Sequence, residues 1–304
     1  MDAAAPRRRL LETSSGSLTD AFGPPEWGLL AVIALVWGSS FLFIDLGLEA
    51  LRPGVVTMLR IGLGAGALAL VPRARVRVGR DDLPRVLLLG VLWMAIPLSL
   101  FPVAQQWVDS SVAGMINGAM PIMTAVWAMA MLRRLPGARQ AAGLALGFAG
   151  IVAISWPGVA ESQVTALGTA LLVVAVTLYG LAANLAVPLQ QRYGALPVLL
   201  HGQLAALALV APVGVYQLQG SAWAWGSVLA MLPLGVLGTG FAFVLMTTLV
   251  GRVGGPRGSV AIYFTPLVAI ALGVTVLGER VHPSALLGTA LVLAGAWLAS
   301  RRET

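Results

Sequence analysis

The 304 residues are 58% hydrophobic and only 10% charged, with a mean hydropathy of +0.89. A soluble chain carries about 25% charged residues, so this one cannot cover its surface with polar groups, and its excess apolar area calls for lipid as solvent. The formal charge of +7 does not mark a nucleic-acid binder: every basic residue is an arginine, and these gather between apolar stretches, as in Arg7 to Arg9 and Arg73, Arg75, Arg77 and Arg80, without forming a stripe. The absence of cysteine, with only His201 and His282 as histidines, excludes disulfides, thiolate metal sites, cysteine nucleophiles and an all-histidine zinc site, and no cofactor is expected.

Residues 1–25 are polar, rich in arginine and without an apolar core, which reads as a disordered cytoplasmic tail and neither a signal peptide nor a span. A bilayer core of about 30 Å takes roughly 20 apolar residues per helix. The remaining chain divides into ten such runs, 27–46, 54–72, 86–107, 111–132, 139–157, 166–188, 195–216, 227–250, 258–277 and 284–300.

The first run carries Trp37, Ser39 and Ser40 near its middle and Asp45 near its outer end. Arg60 lies about 9 Å from the outer start of the second run, at a depth similar to Asp45. The two read as a structural ion pair or as groups snorkelling to the interface; alternatively Arg60 faces a cavity and attracts an anionic part of a substrate. Gly62 and Gly66, like Gly143 and Gly147 in the fifth run, have the GxxxG spacing that lets helices approach closely in lipid. No strand precedes Gly62, so this is not a phosphate-binding loop. Gln105 and Gln106 close the third run at the outer interface.

Asn117 in the fourth run precedes Pro121, as Tyr263 and Thr265 in the ninth precede Pro266. A proline frees a carbonyl about four residues earlier, so each place offers polar groups for a ligand. Thr177, Tyr179 and Asn184 lie at mid-depth in the sixth run. Lipid-facing aromatics gather at the interfaces, so Trp37 and Tyr179 at mid-depth point to a protein or water-filled environment; core packing is the competing reading. His201 and Gln203 in the seventh run project about 200° apart, and only one of them can face a cavity. His201 and Asp45 are the candidates for proton coupling.

Basic loops stay in the cytoplasm. With the N-terminus inside, only Arg52 and Arg280 among the loop arginines fall outside, so both termini are expected in the cytoplasm of a cell (inner) membrane protein. Sliding the chain against itself by 145 residues sets Gly90 on Gly235, Pro121 on Pro266, Gly143 on Gly288 and Gly150 on Gly295; near 142, Trp37-Gly38 falls on Tyr179-Gly180. The expected architecture is therefore all-α, ten transmembrane helices built as two five-helix repeats over 26–160 and 161–304. Because five is odd, the second repeat enters the membrane inverted, which leaves a cavity between the halves.

Trp37-Gly38-Ser39-Ser40-Phe41, Arg60, Phe264-Thr265-Pro266-Leu267-Val268, Leu277-Gly278-Glu279-Arg280, Gly288 and Gly295 resemble the EamA family of the drug/metabolite transporter superfamily. In the first half the Leu-Gly-Glu-Arg position reads Leu132-Arg133-Arg134-Leu135, so Glu279 has no symmetric partner. The resemblance implies a ten-helix, inverted-repeat carrier with both termini inside, moving small organic metabolites, often outward.

With no nucleotide-binding loop and no soluble domain, the expected function is a secondary transporter of amino acids or related amphipathic compounds, an exporter working by alternating access. The expected substrate-binding residues are Trp37, Ser40, Arg60, Asn117, Tyr179, Asn184, His201, Tyr263 and Thr265. Partners are a small-molecule substrate and lipid, with a homodimer left open. The competing classes are a non-transporting membrane sensor or scaffold and an intramembrane enzyme; the latter lacks a G-x-S-x-G motif, paired carboxylates and metal-ligand spacing.

Overall fold

The computed structural model describes residues 10–108, 110–160, 165–265, 267–268 and 283–301. Helix occupies the described part of each of the ten expected spans, the ninth being described only at its start. The helices are α1 (Pro24–Leu48), α2 (Pro53–Ala69), α3 (Leu83–Ala104), α4 in two pieces (Ser110–Asn117 and Met120–Leu132) and α5 (Ala138–Ala160). The second half continues with α6 (Ala166–Tyr193), α7 (Ala195–Gln217), α8 (Trp225–Val253), the start of α9 (Gly255–Ser259, then the 3₁₀ turn Val260–Phe264) and α10 (Pro283–Ser300). The motif positions Pro266 and Leu277 to Arg280 lie outside the described residues.

Among the described residues, six helices, α1, α3, α4, α6, α7 and α8, are long and apolar enough to cross a membrane. Leu35, Leu42, Leu209, Leu229 and Leu293 stand about half exposed on the outside of the bundle, an apolar coat that water would not tolerate. Trp107, Trp156, Tyr216, Trp223 and Trp225 are exposed near the helix ends on the face opposite residue 24, as expected of an aromatic belt at an interface. The chain is an all-helical integral membrane protein.

Links between helices are short where glycine permits it. Gly194 (φ 77°) ends α6 and starts α7, and Gly254 (φ 85°) does the same between α8 and α9. A side chain would strain either turn, and each glycine N–H returns 2.8 Å to the preceding helix, at Gln190 O and Val250 O. On the same face Asp82, fully buried, accepts from Arg85 (3.1 Å), Tyr193 Oη (2.9 Å) and Arg192, tying the start of α3 to the end of α6.

Both long third helices of the repeat contain a π turn. In α3 it covers Val91–Ala95, and in α8 Pro233–Phe241, which includes the positions 145 residues further on. One extra residue per turn breaks the regular ladder and leaves carbonyls free for other partners.

Two of the seams between the halves show the repeat most plainly. In the first, α5 packs antiparallel on α10. A methyl group built on Gly143 would stand 2.7 Å from Gly295 O and 2.6 Å from Ala299 N, and one on Gly150 would stand 2.7 Å from both Gly288 O and Val292 N. Each contact becomes the other when residue numbers are exchanged by 145. In the second, the π-turn helix of each half packs on the second helix of the other: Gly90 of α3 against Gly202 of α7, and Gly235 of α8 against Leu63 and Arg60 O of α2.

Residues 10–23, expected to be without order, lie as an extended strap across the helix ends. Ser17 and Leu18 donate N–H to Gly251 O (3.4 Å) and Arg252 O (2.6 Å), and Phe22 N–H reaches Ser300 O (3.2 Å). Thr13 Oγ1 donates to Asn184 O (2.8 Å), Gln191 Nε2 donates to Ser15 O (2.8 Å), and Arg257 donates to Leu18 O (3.2 Å) and Asp20 O (2.6 Å). The last turn of a helix leaves its carbonyls without intrahelical donors. Those of α8 and α10 hold the strap, and Leu18 and Phe22 anchor it by packing on the core, Phe22 edge-on to Trp27 at 5.7 Å.

Candidate functional site

A small cavity of about 60 Å³ lies between the halves, walled by α1, α2, α3, α4, α6, α8 and α9. Its aromatic wall is a chain of ring contacts: Trp37 and Trp93 each meet Phe243 edge-on at 5.1 and 5.5 Å, Phe101 stacks on Tyr179 at 5.8 Å, and Phe41 leans on Phe101 at 6.1 Å. Edge-to-face and stacked rings hold one another's orientation, so the wall is stiff.

The polar part of the wall is organised by the π turn of α8. Trp37 Nε1 donates to Gly238 O at 2.8 Å. Arg60 Nε donates to Thr239 Oγ1 at 3.1 Å, and that hydroxyl donates to Leu234 O at 3.1 Å. Gln203 Nε2 donates to Thr239 O at 2.7 Å. Arg60 is only 4% exposed, lines the cavity, and has no carboxylate within ion-pair distance among the described residues. Ser40, whose hydroxyl donates to Val36 O at 2.9 Å, and Asn117 add two more polar side chains.

Five residues singled out in the sequence, Trp37, Ser40, Arg60, Asn117 and Tyr179, thus border this one cavity. The other four stand elsewhere. Asn184 gives its amide to Thr124 O (2.8 Å) and Gly180 O (2.9 Å) and borders a second cavity, of about 480 Å³, beneath the strap. Tyr263 is buried against Gly147 of α5 with its hydroxyl on Leu144 O at 2.8 Å. Thr265 bonds back to Ile262 O at 2.9 Å. His201, half-buried, donates Nδ1–H to Pro197 O at 2.8 Å, while Gln203 is the member of that pair that reaches the interior. In each case a backbone carbonyl answers the polar group, which a sequence cannot display.

Asp45 is exposed and accepts from Gln105 Nε2 at 2.8 Å; the ion pair with Arg60 is not formed. Sequence reasoning passed over Thr239, Gln203 as its support, and the rings of Trp93, Phe101 and Phe243. The rings merge with the apolar periodicity of their helices. The crowding of Gly235, Gly238 and Gly240 around Thr239 was the one available sign of the irregular turn.

The family description of EamA-like transporters matches residues 26–156 and 166–301. Aligned over 91% of its length, the chain is 23% identical to an uncharacterized transporter of Archaeoglobus fulgidus, of which it covers 99%. It is 27% identical to a probable terminal-alkyne amino-acid exporter of Streptantibioticus cattleyicolor, with 91% of this chain and 93% of that one aligned. A solved crystal structure shares the fold, with a TM-score of 0.73 over 90% of this chain and 96% of that one, at 17% identity. Matched in two segments that together span most of its length, this chain belongs to the EamA-like transporter family and is a membrane transporter, not an enzyme.

Proposed function

We propose that the protein is a secondary carrier that exports small amphipathic organic metabolites, amino acids or related compounds, by alternating access across ten membrane crossings with the two halves inserted oppositely. The observation that carries this reading is the single central cavity between the halves, where Trp37, Ser40, Arg60, Asn117 and Tyr179 converge. Repeat-built carriers hold substrate between the halves and rock one against the other. Below the cavity, Asn184 bridges α6 to Thr124 O of α4 and leaves no room for a side chain on Gly255 of α9, 2.9 Å from its carbonyl oxygen. Parting this layer opens the cavity towards the strap. The arginine-rich loops on the strap's side support a cytoplasmic location for that face and both termini. Outward transport is supported by the amino-acid exporter among the relatives.

Proteoliposomes containing the purified protein and loaded with labelled amino acids or their derivatives should show saturable efflux. Trp37→Ala and Asn117→Ala should raise the apparent KM roughly tenfold with unchanged folded yield. Absence of saturable flux for every class of small organic solute overturns the reading. Asp45 and His201 are the groups to test for proton coupling: both stand outside the central cavity, so Asp45→Asn and His201→Gln should leave the pH dependence of flux in place.

A further inference from the structure

We infer that, among the amino acids and related compounds of the carrier reading, the central cavity favours monocarboxylates with an apolar or aromatic body and a neutral nitrogen or none over zwitterionic amino acids, a conclusion that rests on that reading for its biological meaning but on the charge inventory of the wall for its chemistry. The described wall carries one ionised side chain, Arg60, and no aspartate, glutamate, lysine or histidine. Of the guanidinium nitrogens, Nε is held by Thr239, and among the described residues no carboxylate lies within ion-pair distance of the group, which borders the cavity. A cation removed from water without a counter-charge is costly, and a ligand carboxylate supplies the missing charge in the bidentate geometry that a guanidinium favours.

Charge balance then separates ligand classes. One carboxylate neutralises Arg60; a phosphate dianion would leave a negative charge among rings and aliphatic groups. An α-amino acid brings a second cation, and the wall offers its ammonium ring faces and the neutral Ser40 and Asn117 but no carboxylate. An acylated or otherwise neutral nitrogen has no such cost. The body of the ligand meets Trp37, Trp93 and Phe243, which pack edge-on, and Phe101, which stacks on Tyr179, an apolar wall suited to a ring or an unsaturated chain. Thr239 is a positioning residue: it touches Arg60, not the ligand, and fixes the direction of the guanidinium fork from the π turn.

The test is equilibrium binding of tritiated 3-phenylpropionate to the purified full-length protein, competed by unlabelled 3-phenylpropionate, 3-phenylpropionamide, phenylalanine and 2-phenylethylamine. The carboxylate should compete roughly tenfold to hundredfold better than the amide, the zwitterion and the amine. In Arg60→Gln that preference should collapse to within about threefold, and Thr239→Val should shrink it several-fold while binding of the amide stays as in the wild type. Phenylalanine binding as well as or better than 3-phenylpropionate overturns the inference, as does a preference that survives Arg60→Gln, or no binding of any member of the series. If Arg60→Gln does not fold, the Thr239→Val result decides by the same criterion. Liposome flux of other solutes judges the carrier reading separately: binding without flux sinks that reading alone, and flux of zwitterions without carboxylate preference sinks this one alone.

Discussion

Two seams between the halves differ in what glycine makes room for. Where α5 meets α10, the glycines Gly143, Gly150, Gly288 and Gly295 bring backbone against backbone along the helices. Where α2 meets α8, Gly235 again packs on backbone, at Arg60 O, but beside it Arg60 donates to Thr239 of the π turn, whose carbonyl is held from behind by Gln203 of α7. The first seam has no slack and suits an axis about which the halves turn. The second holds a charge with no carboxylate partner among the described residues, which suits it to the solute recognition proposed above. Stability and recognition are thus divided between seams.

Substitutions can break this division or sharpen it. Gly150→Leu puts a branched side chain where even a methyl group meets Gly288 O at 2.7 Å; it should cost about 3 kcal/mol or more, seen as loss of monodisperse folded protein. An isolate that folds normally would show that the seam can open. Arg60→Gln should do the reverse. It removes a buried cation with no carboxylate partner among the described residues, so the melting temperature of the ligand-free protein should hold or rise by about 2 to 4 °C, while carboxylate affinity falls. A marked loss of stability would mean that Arg60 serves the fold instead.

Tyr263→Phe deletes the hydroxyl that reaches Leu144 O across to α5. It should lower stability by about 1 kcal/mol and leave KM unchanged; a raised KM would return Tyr263 to the binding site. The smallest effect is expected at the rim, where Arg252, nearly half exposed, pairs with Glu26 at 3.0 Å. Glu26→Gln keeps an acceptor for Gly23 N–H but removes the buried charge that faces Arg252; it should cost about 1 kcal/mol or less, measurable as a shift in melting temperature that shrinks in high salt.

Hydropathy made the helices legible, because lipid leaves a run of about 20 apolar residues no other use, and the glycines at matching positions exposed the repeat. The cavity was half legible. Trp37, Arg60 and Tyr179 stand out because such groups are costly or misplaced at depth, but Asn184, Tyr263 and Thr265 look the same in a sequence, and only their carbonyl partners tell the two sets apart. The π turns leave no periodic trace, so Thr239 was hidden with them. The strap escaped notice for a simpler reason: its order comes from helix-end carbonyls more than 170 residues away, and composition is blind to such bonds.

That strap has a mechanical meaning. Phe22 is bonded to Ser300, Arg257 grips Ser300, Leu18 and Asp20 together, and Leu18 hangs from the last turn of α8. The amino-terminal segment is laced to the closing turns of the second half like a drawstring through a collar. A pull applied at Leu10 is transmitted to α8 and α10 before it reaches α1, so whatever is tethered there shares a lever arm with the inner rim.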